Sequence, residues 1–155
     1  MPVEFRKRIT RSMLRAEPDA LFVFGDCIAG WGLGGQAKEM RGEPNAVGIP
    51  TKWKPYMTPE AFFRDEDLPI VKERIVAPFD RLHQQLARFG KVVLPADGIG
   101  TGLARLDQHA PAIKRLIDLE IEGLVTASRH YDDLLPKTHS THGECTGQAT
   151  VEKKT

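Results

Sequence analysis

The stretch "ALFVFGDCIAGWGLGGQAKEM", residues 20–40, joins three unlike compositions in one span. Residues 20–25 are an unbroken apolar run with aromatic and β-branched members, the pattern of a short strand buried on both faces. Glycines stand at 25, 30, 32, 34 and 35, and each gives up more backbone freedom on folding than any other residue type. Residues 35–40, "GQAKEM", then supply good helix formers. Strand, glycine loop and helix are therefore expected in that order. A loop stripped of side chains lets a ligand approach the backbone and meet its N–H groups.

Working outward, the same arrangement recurs. "KVVLPA", residues 91–96, reads as another buried strand, and the glycine loop "DGIGTGLARLD", residues 97–107, follows at once. Between the two lies "NAVGIPTK", residues 45–52, a strand stopped by Pro50. Ile70, Val71, Ile75, Val76, Phe79, Leu82, Leu86 and Phe89 recur at helical spacing, with Pro69 at the start and Gly90 at the end. Pro78 inside that helix is expected to kink or split it. Pro111 opens a further helix whose apolar face is Ile113, Leu116, Ile117, Ile121 and Leu124. Thr58 and Pro59 read as the N-cap and first residue of a short helical connection. The basic opening sets Arg6, Lys7, Arg8, Arg11 and Arg15 among Phe5, Ile9, Met13 and Leu14, with a period that fits an edge strand or a short helix. After about Ser128 the chain turns polar and loses periodicity. The expected organisation is one domain over 1–127 and a flexible tail over 128–155. Alternating strands and helices imply an α/β domain with a mostly parallel or mixed sheet.

Composition narrows the function classes. The 155 residues carry a net charge of +1, with 41% hydrophobic and 28% charged residues. That balance offers no global attraction to nucleic acid, so such a partner would need a local patch; the basic N-terminus is the candidate. No apolar run approaches the roughly 20 residues that span a bilayer, and no secretory signal is evident at the N-terminus. The two cysteines, Cys27 and Cys145, lie far apart in unlike contexts, as in a reduced, cytoplasmic protein. His139, His142 and Cys145 form H-x2-H-x2-C, with His130 as a recruit. A closed zinc site needs a fourth ligand on a supporting fold, so no metal or cofactor is expected.

Both glycine loops follow strands, and in open α/β sheets ligands bind beyond the strand carboxyl ends. A helix after each loop would add the positive end of its dipole, which suits an anion such as phosphate. Two such loops suggest a bracketed diphosphate; tight turns with close helix–sheet packing are the plainer alternative. No glycine–lysine–serine/threonine ending is present, which disfavours a Walker-type NTPase. Gly30, Gly32 and Gly35 match G-x-G-x-x-G, but "DCIA" separates them from the strand. The next strand ends in Thr51 and Lys52 rather than in an acidic residue. A dinucleotide-dependent dehydrogenase is disfavoured on both counts.

In their order and spacing, "FVFGD", "GLGGQAKEM", "GIPTK" and "VVLPADGIGTGLARLD" resemble the macro domain family, which binds ADP-ribose and in many branches hydrolyses its derivatives. The resemblance covers roughly residues 20–125. It is closest to the branch that removes ADP-ribose from acidic side chains or nucleic-acid bases. There a strand ending in Thr-Lys precedes an Ile-Gly-x-Gly-Leu loop, as Thr51-Lys52 precedes Ile99-Gly100-Thr101-Gly102-Leu103 here.

The resemblance implies a three-layer macro-like fold and a set of roles. Asp26 would accept a hydrogen bond from the adenine amino group. Gly32, Gly34, Gly35 and Gln36 would lie against the distal ribose and one phosphate. Gly98, Ile99, Gly100, Thr101, Gly102 and Leu103 would cradle the diphosphate. Lys52 would attack the anomeric carbon, as a desolvated lysine can. Where that branch carries an aspartate this chain has Ala104, so Asp97 and Asp107, flanking the loop, are the carboxylates that remain. Asn45 is the nearest candidate for the asparagine of other hydrolytic branches, or a turn residue. The expected partner is ADP-ribose or an ADP-ribosylated macromolecule. The alternatives are a reader module without chemistry and a nucleoside-monophosphate glycosidase, whose phosphate loop "DGIGTG" partly resembles.

Overall fold

In the computed structural model, which describes residues 2–135, the chain runs β1 (Val3–Arg6), α1 (Arg11–Ala16), β2 (Leu21–Cys27), α2 (Ala37–Met40), β3 (Ala46–Lys52), α3 (Leu68–Ala87), β4 (Val92–Pro95), α4 (Leu106–His109) and α5 (Pro111–Leu134). Two short 3-10 turns, Pro59–Ala61 and Asp65–Asp67, link β3 to α3. The strands form one sheet in the order β1-β4-β2-β3, and every pairing is parallel. The architecture is α/β, and the basic opening contributes both an edge strand and a short helix.

Successive side chains on a strand point to opposite faces, and the core divides accordingly. Leu21, Val23, Val47, Ile49, Val92 and Leu94 pack with Ile75, Phe79 and Leu82 of α3 and Ile113, Ile117 and Leu124 of α5. Phe22, Phe24 and Val93 pack on the other face with Leu14 of α1 and with Ala37 and Met40 of α2. Strands covered on both sides must be apolar throughout, which is why β2 and β4 read as unbroken hydrophobic runs.

Two helical expectations change. Pro78 leaves α3 continuous from Leu68 to Ala87. The carbonyl that loses its bond belongs to Arg74, which is exposed, so water can replace the missing N–H. Helix α5 runs on to Leu134, past the boundary read at 127, because Ser128 is fully buried and its Oγ accepts the Val3 N–H at 3.3 Å. His139, His142 and Cys145 lie outside the described residues.

The basic cluster at the N-terminus is largely neutralised. Arg6 pairs with Glu4 and Glu17, while Arg11 and Arg15 both reach Glu43. No helix among the described residues is long and apolar enough to cross a membrane.

Candidate functional site

Neighbouring strands β2 and β4 send their chains to opposite faces of the sheet. The loop after β2 leads to α2 on one face, and the loop after β4 leads to α4 and α5 on the other. Where adjacent strands part in this way a crevice opens beyond their carboxyl ends. A cavity of about 560 Å³ occupies that place, within the usual range for small-molecule sites. Its walls are Gly25–Cys27, Trp31–Ala37, Arg41, Thr51, Lys52, Pro55, Met57 and the whole of Asp97–Ala104. Both glycine loops and the end of β3 therefore share one site.

The glycines are there for identifiable reasons. Gly32 has φ +104, and a Cβ would lie 2.5 Å from Pro55 Cβ. Gly98 and Gly100 have φ +88 and +84, a region that side chains disfavour. A Cβ on Gly34 would meet Leu103 Cδ1 at 2.9 Å, so Leu103 bridges the mouth from one loop to the other. Among the described residues, no hydrogen bond within the chain uses the N–H groups of Trp31, Gly32, Leu33, Gly34 or Gly35. The same holds for Ile99, Gly100, Thr101, Gly102 and Leu103. Ile99 is fully buried, and buried N–H groups without an acceptor are rare in folded proteins. Two runs of residues with unengaged donors therefore line one cavity. The helix dipole expected behind each loop contributes little, since α2 and α4 are single turns of four residues.

Lys52 ends β3 and is only 7% exposed. Its Nζ donates to the Tyr56 carbonyl and to Met57 Sδ at 3.7 Å, and lies 4.5 Å from the centre of the Phe62 ring. Burial pushes the ammonium below the usual lysine range; Cys27 partly opposes the shift, and Arg105 adds to it. Phe62 also stacks on the His109 ring at 4.3 Å. Asp97 is exposed on the cavity wall, and its carbonyl accepts the Thr101 hydroxyl at 2.9 Å. Asp107 sits on α4, outside the lining, and Ala104 is buried in the wall.

Asp26 is already engaged. Its Oδ1 accepts from the Arg41 guanidinium and from the Cys27 N–H at 2.7 Å. The Asp26 carbonyl takes the Thr51 hydroxyl at 3.0 Å. Cys27 is buried and its Sγ donates to the Trp31 carbonyl at 3.2 Å, which is a packing role for the thiol. Trp31 meets Tyr56 edge-on at 5.4 Å, and both rings are half exposed at the mouth. Asn45 lies at the far end of its strand and donates to the carbonyls of Leu14, Glu17 and Ala20. It secures a turn and takes no part in the cavity. Nothing in the sequence marks Arg41 for the site; an arginine after a helical run reads as an exposed helix end. Among the described residues no cluster of His, Cys, Asp and Glu could hold a metal ion.

Residues 4–120 match a protein family. The chain belongs to DUF7831, a family of unknown function. The segment shared with DUF7831 begins in β1 and ends within α5, so it contains both glycine loops, Arg41 and Lys52. No curated protein and no solved structure matches the chain.

Proposed function

We propose that the cleft binds ADP-ribose or a closely related NAD-derived nucleotide, on a three-layer macro-like fold, and that Lys52 hydrolyses an ADP-ribosyl bond there. The observation that carries the binding is the pair of glycine loops that line one cavity and carry N–H groups free of partners within the chain. A diphosphate supplies several acceptor oxygens at the spacing of successive backbone donors. Trp31 at the mouth offers a face for a base or ribose.

Lys52 supports the chemistry. A buried lysine with a lowered pKa holds more of the neutral amine, whose lone pair is the nucleophile. The amine forms a bond to the anomeric carbon as the bond to the departing carboxylate or base breaks and its electron pair leaves with that group. Water then displaces the amine and regenerates Lys52. With Ala104 unable to supply a carboxylate, Asp97 is the acid–base candidate, since it lines the cavity and Asp107 does not.

Gly102 provides the sharpest test. A Cβ there meets nothing within 4 Å, so Gly102→Glu keeps the fold while placing a carboxylate beside the donors. Calorimetric titration with ADP-ribose, AMP, NAD and NADH should show ADP-ribose binding to the wild type and its loss in Gly102→Glu, with thermal stability unchanged. Absence of ADP-ribose binding at millimolar concentration rejects the proposal, and strong AMP binding alone favours a glycosidase. Incubation with ADP-ribosylated protein and DNA separates enzyme from reader. Release that disappears in Lys52→Ala, with binding retained, supports the lysine step.

A further inference from the structure

We propose that Arg41 is a positioning residue that sets the donor face of the first glycine loop, an inference that rests on the ligand reading above. Each nitrogen of its guanidinium is used. Nε donates to the Gly32 carbonyl at 2.8 Å, Nη1 to the Gly30 carbonyl at 2.9 Å, and Nη2 to Asp26 Oδ1. One planar group thus ties the end of β2 to two points of the loop that follows it.

The other bonds of the loop lie mostly at its ends: Ile28 and Ala29 N–H to the Lys52 and Trp53 carbonyls, Gly30 N–H to the Cys27 carbonyl, and Ala37 N–H to the Gly34 carbonyl, with the Cys27 thiol reaching the Trp31 carbonyl between them. Gly30 and Gly32 have φ of +75 and +104, and glycine in this density leaves many conformations open. In a planar trans peptide the C=O of one residue and the N–H of the next point to opposite sides. Holding the carbonyls of Gly30 and Gly32 on Arg41 therefore turns the N–H groups of Trp31 and Leu33 away from it. These are two of the unengaged donors on the cavity wall. Arg41 selects which side of the loop a ligand meets.

The clamp is anchored at both ends. Arg41 follows Met40, which is fully buried, and its guanidinium lies 5.6 Å over the Phe24 ring. The Asp26 carboxylate is confined by the Cys27 N–H and by Gly48, where a Cβ would come within 2.7 Å of Oδ2. A lysine at 41 would carry the charge but not the fork, so it could not serve three acceptors in one plane. In this arrangement Asp26 organises the loop through Arg41, with Oδ1 already committed.

Amide hydrogen exchange on the ligand-free protein tests the clamp directly. In Arg41→Ala and Arg41→Lys, exchange at the Ala29 and Gly30 amides, the two of residues 29–35 that are hydrogen-bonded within the chain, should rise about tenfold or more while residues 98–104 stay as in the wild type. Guanidinium ion at millimolar concentration should restore protection to Arg41→Ala, and ammonium ion should not. ADP-ribose affinity should fall about tenfold in both variants, as expected for loss of a charge-assisted hydrogen-bond set. Unchanged exchange in Arg41→Ala, or wild-type behaviour of Arg41→Lys, overturns the proposal. If Arg41→Ala does not fold, Arg41→Lys carries the comparison. Failure of the wild type to bind ADP-ribose removes the ligand reading, and the exchange data still decide the role of Arg41.

Discussion

Gly100 and Gly102 stand two positions apart in the second loop and tolerate substitution very differently. Gly100 has φ +84, and a Cβ there would fall 2.3 Å from Leu106 Cδ1, which is fully buried. Gly100→Ala should cost about 1–3 kcal/mol through backbone strain and overpacking, read as a lower urea midpoint with unchanged slope. Gly102 has neither constraint, so its variants report on the ligand alone. Lys52 lends itself to a pH test. Its ammonium titrates below the ordinary 10.5 because burial disfavours the charge. The protonated amine has no lone pair to give, so single-turnover release of ADP-ribose should rise with pH by roughly tenfold per unit until the lowered pKa is passed, then level off. A rate that falls as the pH rises would remove Lys52 as nucleophile.

At the level of elements, strands β2 and β4 and helices α3 and α5 were legible from their apolar runs and periods; β3 was legible as a strand, but Pro50, expected to stop it, lies within it opposite Asp26 and the strand runs on to Lys52. The end of α5 was not, since Ser128 counts as polar in any pattern yet is buried against β1. The site was legible in part. Glycine density located both loops, and strand order decides that they face one another. Arg41 stayed hidden because its partners are two backbone carbonyls and a carboxylate at the far side of a loop, none of which leaves a spacing rule in the sequence. Asn45 teaches the same point from the opposite side. Its amide holds three carbonyls at the junction of α1 and β2. Asn45→Ala should therefore lower stability by about 2–3 kcal/mol, because buried acceptors lose their donor, while leaving ADP-ribose affinity intact. Thermal and calorimetric measurements on the one variant check both halves.

For the whole molecule, charge and topology act together along the β1 side. Glu17 joins Arg6 on β1 to Lys91 before β4, and the Arg6 guanidinium, with help from Lys91, holds the Glu17 carboxyl at about 2 instead of 4.5. A carboxyl whose pKa falls on folding contributes stability that is complete above about pH 4.5 and is lost as the pH drops toward 2. The urea midpoint of the wild type should fall through that window, and that of Glu17→Gln should fall less. A slope shared equally by both proteins would place the acid sensitivity elsewhere. The sheet order adds a constraint in time. β1 is made before β2, β3 and β4, yet it pairs with β4, with Val3 beside Val92. Closing so long a loop costs more entropy than pairing β2 with β3 and favours a late event in folding. On the ribosome β1 has no strand to join until Pro95 has been added, although β2 and β3 can already pair. The N-terminal segment is thus the natural last piece of the sheet. A substitution that weakens the pairing of β1 therefore acts on the final closure of the fold before it acts on the cleft.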